Sequence, residues 1–189
     1  MINHDFRFIC YDTNELLKKV DTLSKFMNRL EKQSSKFPEK WTSAEYKGKA
    51  FEFLINILIH YSPIDKRINI INYEPILKRD NGVDGVGESH NGKVHTVQVK
   101  YRSNSEKVLT ANEDHISNFV AHSLAHYGED IDMTIFTTAK NLLERTNENM
   151  FGGKVKTLGY NKLKKLVDGN LPFWAILKKE LLYRKESNV

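Results

Sequence analysis

The chain has 189 residues, 40% hydrophobic and 28% charged, with 29 Lys and Arg against 24 Asp and Glu. That length buries a core in one domain, and the composition excludes a disordered tail. The longest apolar stretch, residues 51–59, is interrupted by Glu52 and Asn56, which excludes a membrane span there. The single cysteine, Cys10, permits no internal disulfide, and the start Met1-Ile2-Asn3-His4-Asp5 lacks a signal-peptide layout. An intracellular location is expected. The net charge of +5 favours a polyanionic partner.

Asp12-x-x-Glu15 has the form of a capping box, and Leu16, Leu17, Val20, Leu23, Phe26, Met27 and Leu30 follow at helical spacing, predicting one amphipathic helix over 13–32. Residues 33–40 read as a loop. Thr42-x-x-Glu45 starts a second helix to about His60, with Phe51, Leu54, Ile55 and Leu58 on one side and a polar stripe of Glu45, Gly48, Lys49, Glu52, Asn56 and His60 on the other. Strands are predicted over 68–77, 83–89 and 94–101. A helix is expected from Thr110-x-x-Glu113, then a strand over 132–138, a short helix over 141–150, a turn at Gly152-Gly153 and a strand over 155–158. Helices over 160–167 and 171–184 close the chain. The order is a mixed α/β layout.

The chemistry concentrates in Gly82-Val83-Asp84-Gly85-Val86 and Val97-Gln98-Val99-Lys100. Side chains alternate along a strand, so Gln98 and Lys100 share a face opposite Val97 and Val99. An acid beside a lysine at the mouth of a sheet suits metal-assisted phosphodiester hydrolysis, the acid holding a cation and the lysine offsetting phosphate charge. A surface strand with a snorkelling lysine is the competing reading of these residues. The loop between the strands separates the two. A two-residue Asn91-Gly92 turn would set Asp84 across from Val99, away from Gln98 and Lys100. A three-residue loop, His90-Asn91-Gly92, or a bulge at Gly85 or Gly87, would bring Asp84 to Gln98.

These segments, with Gly48-Lys49-Ala50-Phe51-Glu52-Phe53-Leu54 before them and Phe136-Thr137-Thr138-Ala139 after, resemble the PD-(D/E)xK nuclease superfamily, and in particular its Mrr-like branch, in which Gln-x-Lys replaces Glu-x-Lys. The resemblance covers roughly residues 42–160. It implies a restriction-endonuclease-like αβββαβ core with a mixed central sheet, within a single domain of residues 1–189 that adds an N-terminal helical extension (1–40) and C-terminal helices (160–189). It further implies a metal-dependent endodeoxyribonuclease, of restriction or defence type, acting on DNA. Asp84 would be a metal ligand, Lys100 the catalytic lysine, Gln98 the occupant of the second acid's place, and Glu52 the helix acid at the metal. The Val99 carbonyl would also face the cation. Magnesium suits this set, with manganese an expected substitute. A Holliday-junction-type resolvase, or a nuclease-like module that binds DNA without turnover, are the alternatives. Cutting both strands calls for a homodimer or a partner.

Arg102 and Ser103, leaving the strand after Lys100, are candidate phosphate contacts, as is Lys49. Lys47, Lys78, Arg79 and Lys140 would add to a basic groove. Glu45 is explained by its cap and Glu88 by a solvated strand end. His115, His122 and His126 share a helix side without the acid of an H-E-x-x-H zinc motif, so a polar face is expected there.

Overall fold

The computed structural model describes residues 12–35, 42–76, 82–112 and 114–187, with side chains to Tyr183. The expected loop at 36–40, the basic Lys78 and Arg79, and Glu113 of the expected cap lie outside the described residues.

The N-terminal helix predicted over 13–32 is two helices, α1 (Thr13–Leu16) and α2 (Leu23–Ser34). Lys19 adopts a left-handed backbone at φ 53°. The Thr22 hydroxyl accepts from Lys25 N–H at 3.3 Å, and Asp168, far along the chain, accepts from Leu23 N–H at 2.8 Å. Leu17, Val20 and Leu23 are all buried across the break, so the apolar spacing runs through it and hides it. α3 (Ser43–Tyr61) starts where the capping box predicts: Thr42 Oγ1 accepts from Glu45 N–H at 3.2 Å, and Glu45 Oε2 accepts from Thr42 N–H at 2.8 Å. Phe51, Phe53, Leu54, Ile55, Ile57 and Leu58 of this helix are buried. Each contributes roughly 1.5–3 kcal/mol on the area scale, and together they fix the platform that carries Glu52.

The main sheet has the order β1-β2-β3-β5-β7. β1 (Ile71–Pro75), β2 (Gly85–Glu88) and β3 (Val94–Lys100) form an antiparallel meander. β5 (Asp132–Thr137) runs parallel to β3, and β7 (Val155–Leu158) parallel to β5. Pro75 ends β1 on the sheet's edge, where its missing N–H is tolerated. A second, two-stranded parallel sheet pairs β4 (Val108–Leu109) with β6 (Asn141–Leu142), elements too short to leave a periodic signal. α4 (Ile116–Tyr127) begins later than Thr110 predicts. Thr110 N–H donates to Asp114 Oδ2 at 2.9 Å, and His115, left-handed at φ 56°, precedes the helix. α5 (Glu144–Phe151), α6 (Tyr160–Val167) and α7 (Leu171–Ser187) complete the fold.

α3, the β1–β3 meander, α4 and β5 follow one another in the αβββαβ order. Val97, Val99, Phe136 and Leu158 pack on one face of the sheet with residues of α2, α3, α6 and α7. Met133, Ile135 and Val155 pack on the other with Ile116, Phe119 and Val120 of α4. Gln98 is paired in register with Ile135, so its side chain belongs to the α4 face.

Candidate active site

The β2–β3 register pairs Gly85 with Val97 and Glu88 with Val94, which leaves His90-Asn91-Gly92 as a three-residue loop. Ser89 N–H donates to the Lys93 carbonyl at 2.8 Å, and Gly92 takes the left-handed conformation at φ 82°. Carried one residue further, that register would set Asp84 across from Gln98, but the ladder breaks before it does. The ladder also widens at this end. Asp84 N–H donates to the Val97 carbonyl at 2.8 Å although Gly85 is Val97's register partner, so two residues oppose one, as in a bulge.

Beyond this bulge β2 leaves β3, and the Asp84 carboxylate fills the opening. Its Oδ2 accepts from Val99 N–H at 2.7 Å, replacing the ladder bond that a continuing strand would make. The N–H and C=O of one strand residue point the same way, so the Val99 carbonyl also faces the fork. Burial, then the charge of Glu52, pushes the Asp84 carboxyl up to about 7, against the opposing pull of the Val99 N–H, Lys100 and Lys49.

Lys100 ends β3 at the same fork. Burial holds its ammonium below the usual lysine value, and the charges of Asp84 and Glu52 draw it back up. Gln98 lies one strand repeat earlier, fully buried, and neither its Oε1 nor its Nε2 has a hydrogen-bond partner among the described residues. Gly82 lies over this amide: a Cβ there would stand 3.1 Å from Gln98 Nε2, and φ 104° would strain any other residue. Glu52 approaches from α3 on the opposite face, paired with Lys49 at 2.6 Å. The sheet thus sets Asp84 at its opening, with Glu52 and Lys100 close enough for their charges to act on it, while Gln98 lies on the α4 face beneath Gly82.

Tyr73 of β1 is a neighbour that sequence reasoning missed. Its ring sits directly on Gly85, and its hydroxyl is raised well above the usual value by burial, then by the charges of Asp84 and Glu52. The available signal was Gly85 itself, because a glycine within a strand marks a close approach.

The outer candidates are already engaged in contacts. The Arg102 Nε donates to Asp114 Oδ1 at 2.9 Å and its Nη1 to the Tyr101 carbonyl at 2.7 Å, with Lys107 joining Asp114 at 3.3 Å. Asp114 is fully buried. Burial alone would raise its carboxyl, but the Thr110 N–H and Arg102 outweigh that and hold it low. Ser103 Oγ donates to Glu31 Oε1 at 2.6 Å. Glu88 is exposed and accepts from Asn72 Nδ2 at 3.3 Å. His122 and His126 stack on α4 with centroids 5.4 Å apart, and Lys140 pairs with Glu106 at 3.7 Å.

No group of three or more His, Cys, Asp or Glu side chains among the described residues is placed to hold a metal ion. The donor set at the fork is of another kind: the carboxylates of Asp84 and Glu52, with burial and then the charge of Glu52 raising Asp84, and a backbone carbonyl. All-oxygen donors with few carboxylates fit a hard divalent cation that keeps several waters, and do not fit zinc. No helix among the described residues is long and apolar enough to cross a membrane.

No protein-family model matches the chain, and no curated protein matches it. Solved structures do match. A repair endonuclease from Pyrococcus abyssi aligns at TM-score 0.38 and 15% identity, over 64% of this chain and 48% of its own. The MspJI restriction endonuclease in complex with a 27-mer oligonucleotide aligns at TM-score 0.47 and 11% identity, over 84% of this chain and 36% of its own. Can2 from Sulfobacillus thermosulfidooxidans, in complex with cyclic tetra-adenylate, aligns at TM-score 0.41 and 12% identity, over 91% of this chain and 53% of its own. The chain spans about half the length, or less, of these proteins.

Proposed function

We propose that the protein is a magnesium-dependent endodeoxyribonuclease of restriction or defence type, with the β2–β3 fork as its active site. The observation that carries this reading is the Asp84 carboxylate in the strand opening, held by the Val99 N–H and acted on by the charges of Glu52 and Lys100. Asp84 and Glu52 would hold the ion through carboxylate oxygens, with the Val99 carbonyl as a further ligand. The ion supplies charge stabilisation at the phosphoryl oxygens. Lys100, short of full solvation, donates to a phosphoryl oxygen and offsets charge that grows as water adds to phosphorus and the ester P–O bond breaks. Gln98 would orient the metal shell or the scissile phosphate with its amide. Lys49, Ser103 and Arg102 would contact flanking phosphates. For Arg102 this requires the part of its guanidinium edge not taken by Asp114.

A second reading is favoured by one residue. Gln98 brings no charge to the place where the family pattern has an acid, so a module that binds DNA with little turnover is its natural rival. Nicking of supercoiled plasmid and of a branched duplex in Mg²⁺, Mn²⁺ or EDTA, with Asp84→Ala and Lys100→Ala alongside, separates the readings. Metal-dependent nicking lost in both variants is expected, and preference for the branched substrate would instead favour the resolvase. Salt-sensitive DNA binding in EDTA with no nicking in any metal would replace the enzyme by the binding module. Nicking that survives both substitutions would overturn the site.

A further inference from the structure

Glu31, on α2 outside the αβββαβ core, receives three donors. Tyr101 Oη donates to its Oε1 at 2.8 Å, Ser103 Oγ to the same oxygen at 2.6 Å, and Lys47 Nζ to its Oε2 at 2.9 Å. Lys47 also approaches Ser103 Oγ at 3.4 Å and lies 5.8 Å from the centre of the Tyr101 ring. The Glu31 side chain is 40% exposed and that of Lys47 only 14%. Burial alone would raise the Glu31 carboxyl; the hydrogen bonds from Ser103, Lys47 and Tyr101 outweigh it and hold it low.

An ammonium, a phenol and a hydroxyl converging on one anion make an oxyanion cradle, since phosphate and carboxylate accept the same charge-assisted bonds. Its position fits a nucleic-acid track. Tyr101 and Ser103 leave the strand directly after Lys100. Lys47 lies on α3, the same helix as Glu52, about 7.5 Å from it in rise along the axis. Tyr101 is held in place by its edge contact with Phe51, ring centroids 6.1 Å apart, so the cradle is built on the core. Glu31 itself arrives from a helix anchored by buried Leu23, Phe26, Met27 and Leu30, none of which needs the carboxylate to pack.

We propose that Lys47, Tyr101 and Ser103 form a binding site for a DNA backbone phosphate flanking the active site, and that the Glu31 carboxylate occupies it in the free protein. The inference rests on the nucleic-acid reading above. An arriving phosphate must displace Glu31, because two anions on one ammonium repel. The N-terminal helices thereby lower the affinity of the adjoining nuclease core for DNA and raise its discrimination against weakly held substrates.

The test is binding of a labelled duplex oligonucleotide in EDTA across a series of KCl concentrations, so that cleavage plays no part. Wild type is compared with Glu31→Gln, Lys47→Ala and the double variant, with thermal unfolding followed in parallel. Glu31→Gln is expected to bind roughly two- to fivefold tighter, the worth of one exposed ion pair. Lys47→Ala should weaken binding and abolish that gain in the double variant. Equal or weaker binding by a folded Glu31→Gln would overturn the proposal and leave Glu31 as a structural prop. Were Glu31→Gln to unfold, Glu31→Asp, which keeps the charge but shortens its reach, takes its place, and absence of tighter binding there refutes the idea equally. If wild type bound no DNA at any salt, the nucleic-acid reading itself would fall. Wild-type binding with no gain in the variants defeats only this inference.

Discussion

Gly85→Ala tests whether Tyr73 and the Asp84 segment form one packed unit. A Cβ on Gly85 would stand 2.2 Å from Tyr73 Oη, 2.4 Å from Cζ and 2.5 Å from Cε2. The ring is 6% exposed and meets His60 edge-on at 6.1 Å between centroids, so it has little room to yield. Overpacking of this kind costs about 1–3 kcal/mol, and two ring carbons and the hydroxyl oxygen inside contact distance place the expected cost near 3. Tyr73→Ala alone empties the seat, at about 3–5 kcal/mol by comparison with other aromatic truncations. In the Tyr73→Ala background the added methyl meets open space and relieves glycine's backbone entropy, so Gly85→Ala should there be neutral or stabilising by up to about 1 kcal/mol. The double-mutant cycle therefore predicts a coupling of about 3 kcal/mol, read from urea unfolding of the four proteins. Additivity within about 0.5 kcal/mol would refute the contact. Displacement of Asp84 by even a fraction of an ångström should also lower cleavage by about tenfold or more.

Two further outcomes follow from buried ionisable groups. His95 is 1% exposed, with its Nε2 2.7 Å from Thr134 Oγ1, and burial pushes its imidazole down to about 4 from 6.5. The folded chain therefore excludes a proton that the unfolded chain accepts, so this contribution is complete above pH 6.5 and is lost as pH falls towards 4, with a ceiling of about 3 kcal/mol. The raised carboxyl of Asp84 acts in the opposite sense in metal-free protein, so the difference in unfolding free energy between wild type and His95→Gln, followed from pH 7.5 to 4.5 in EDTA, isolates the histidine; a pH-independent difference would refute its neutral burial. Asp114→Ala strands Arg102 and Lys107, which are 28% and 35% exposed, and should destabilise by roughly 2–3 kcal/mol after allowance for solvent screening; urea unfolding showing under 0.5 kcal/mol would deny the pair any structural role.

Features decided within a few residues were legible in the sequence. The Thr42–Glu45 capping box and the His90-Asn91-Gly92 loop with its left-handed glycine are local chemistry, and both stand where the residues imply. The break between α1 and α2 was not legible, because the group that accepts from Leu23 N–H is Asp168, on a different helix end. Asp114 misled for a related reason. Thr110-x-x-Glu113 has the form of a cap, but the Thr110 N–H is taken by a carboxylate that Arg102 and Lys107 hold in place, and the helix starts after it. At the fork, Asp84, Gln98 and Lys100 were visible as residue types on paired strands. The seat of Tyr73 on Gly85 and the reach of Glu31 to Ser103 were not, since each joins elements that no spacing rule connects.

The fork also explains why one carboxylate matters to both fold and chemistry. β2 departs after pairing Gly85 with Val97, which would leave the Val99 N–H without a ladder partner in a buried strand. An orphaned buried donor costs about 1–3 kcal/mol. Asp84 removes that cost with one oxygen and, being a carboxylate, still has a second with which to meet a ligand. The same geometry draws the carboxylate out of water, and the charge of Glu52 adds to that burial in raising its proton affinity; on the proposed reading a divalent cation would take the place of the proton. Strand divergence, rather than a separate loop, is thus what leaves the Asp84 carboxylate in the opening of the sheet.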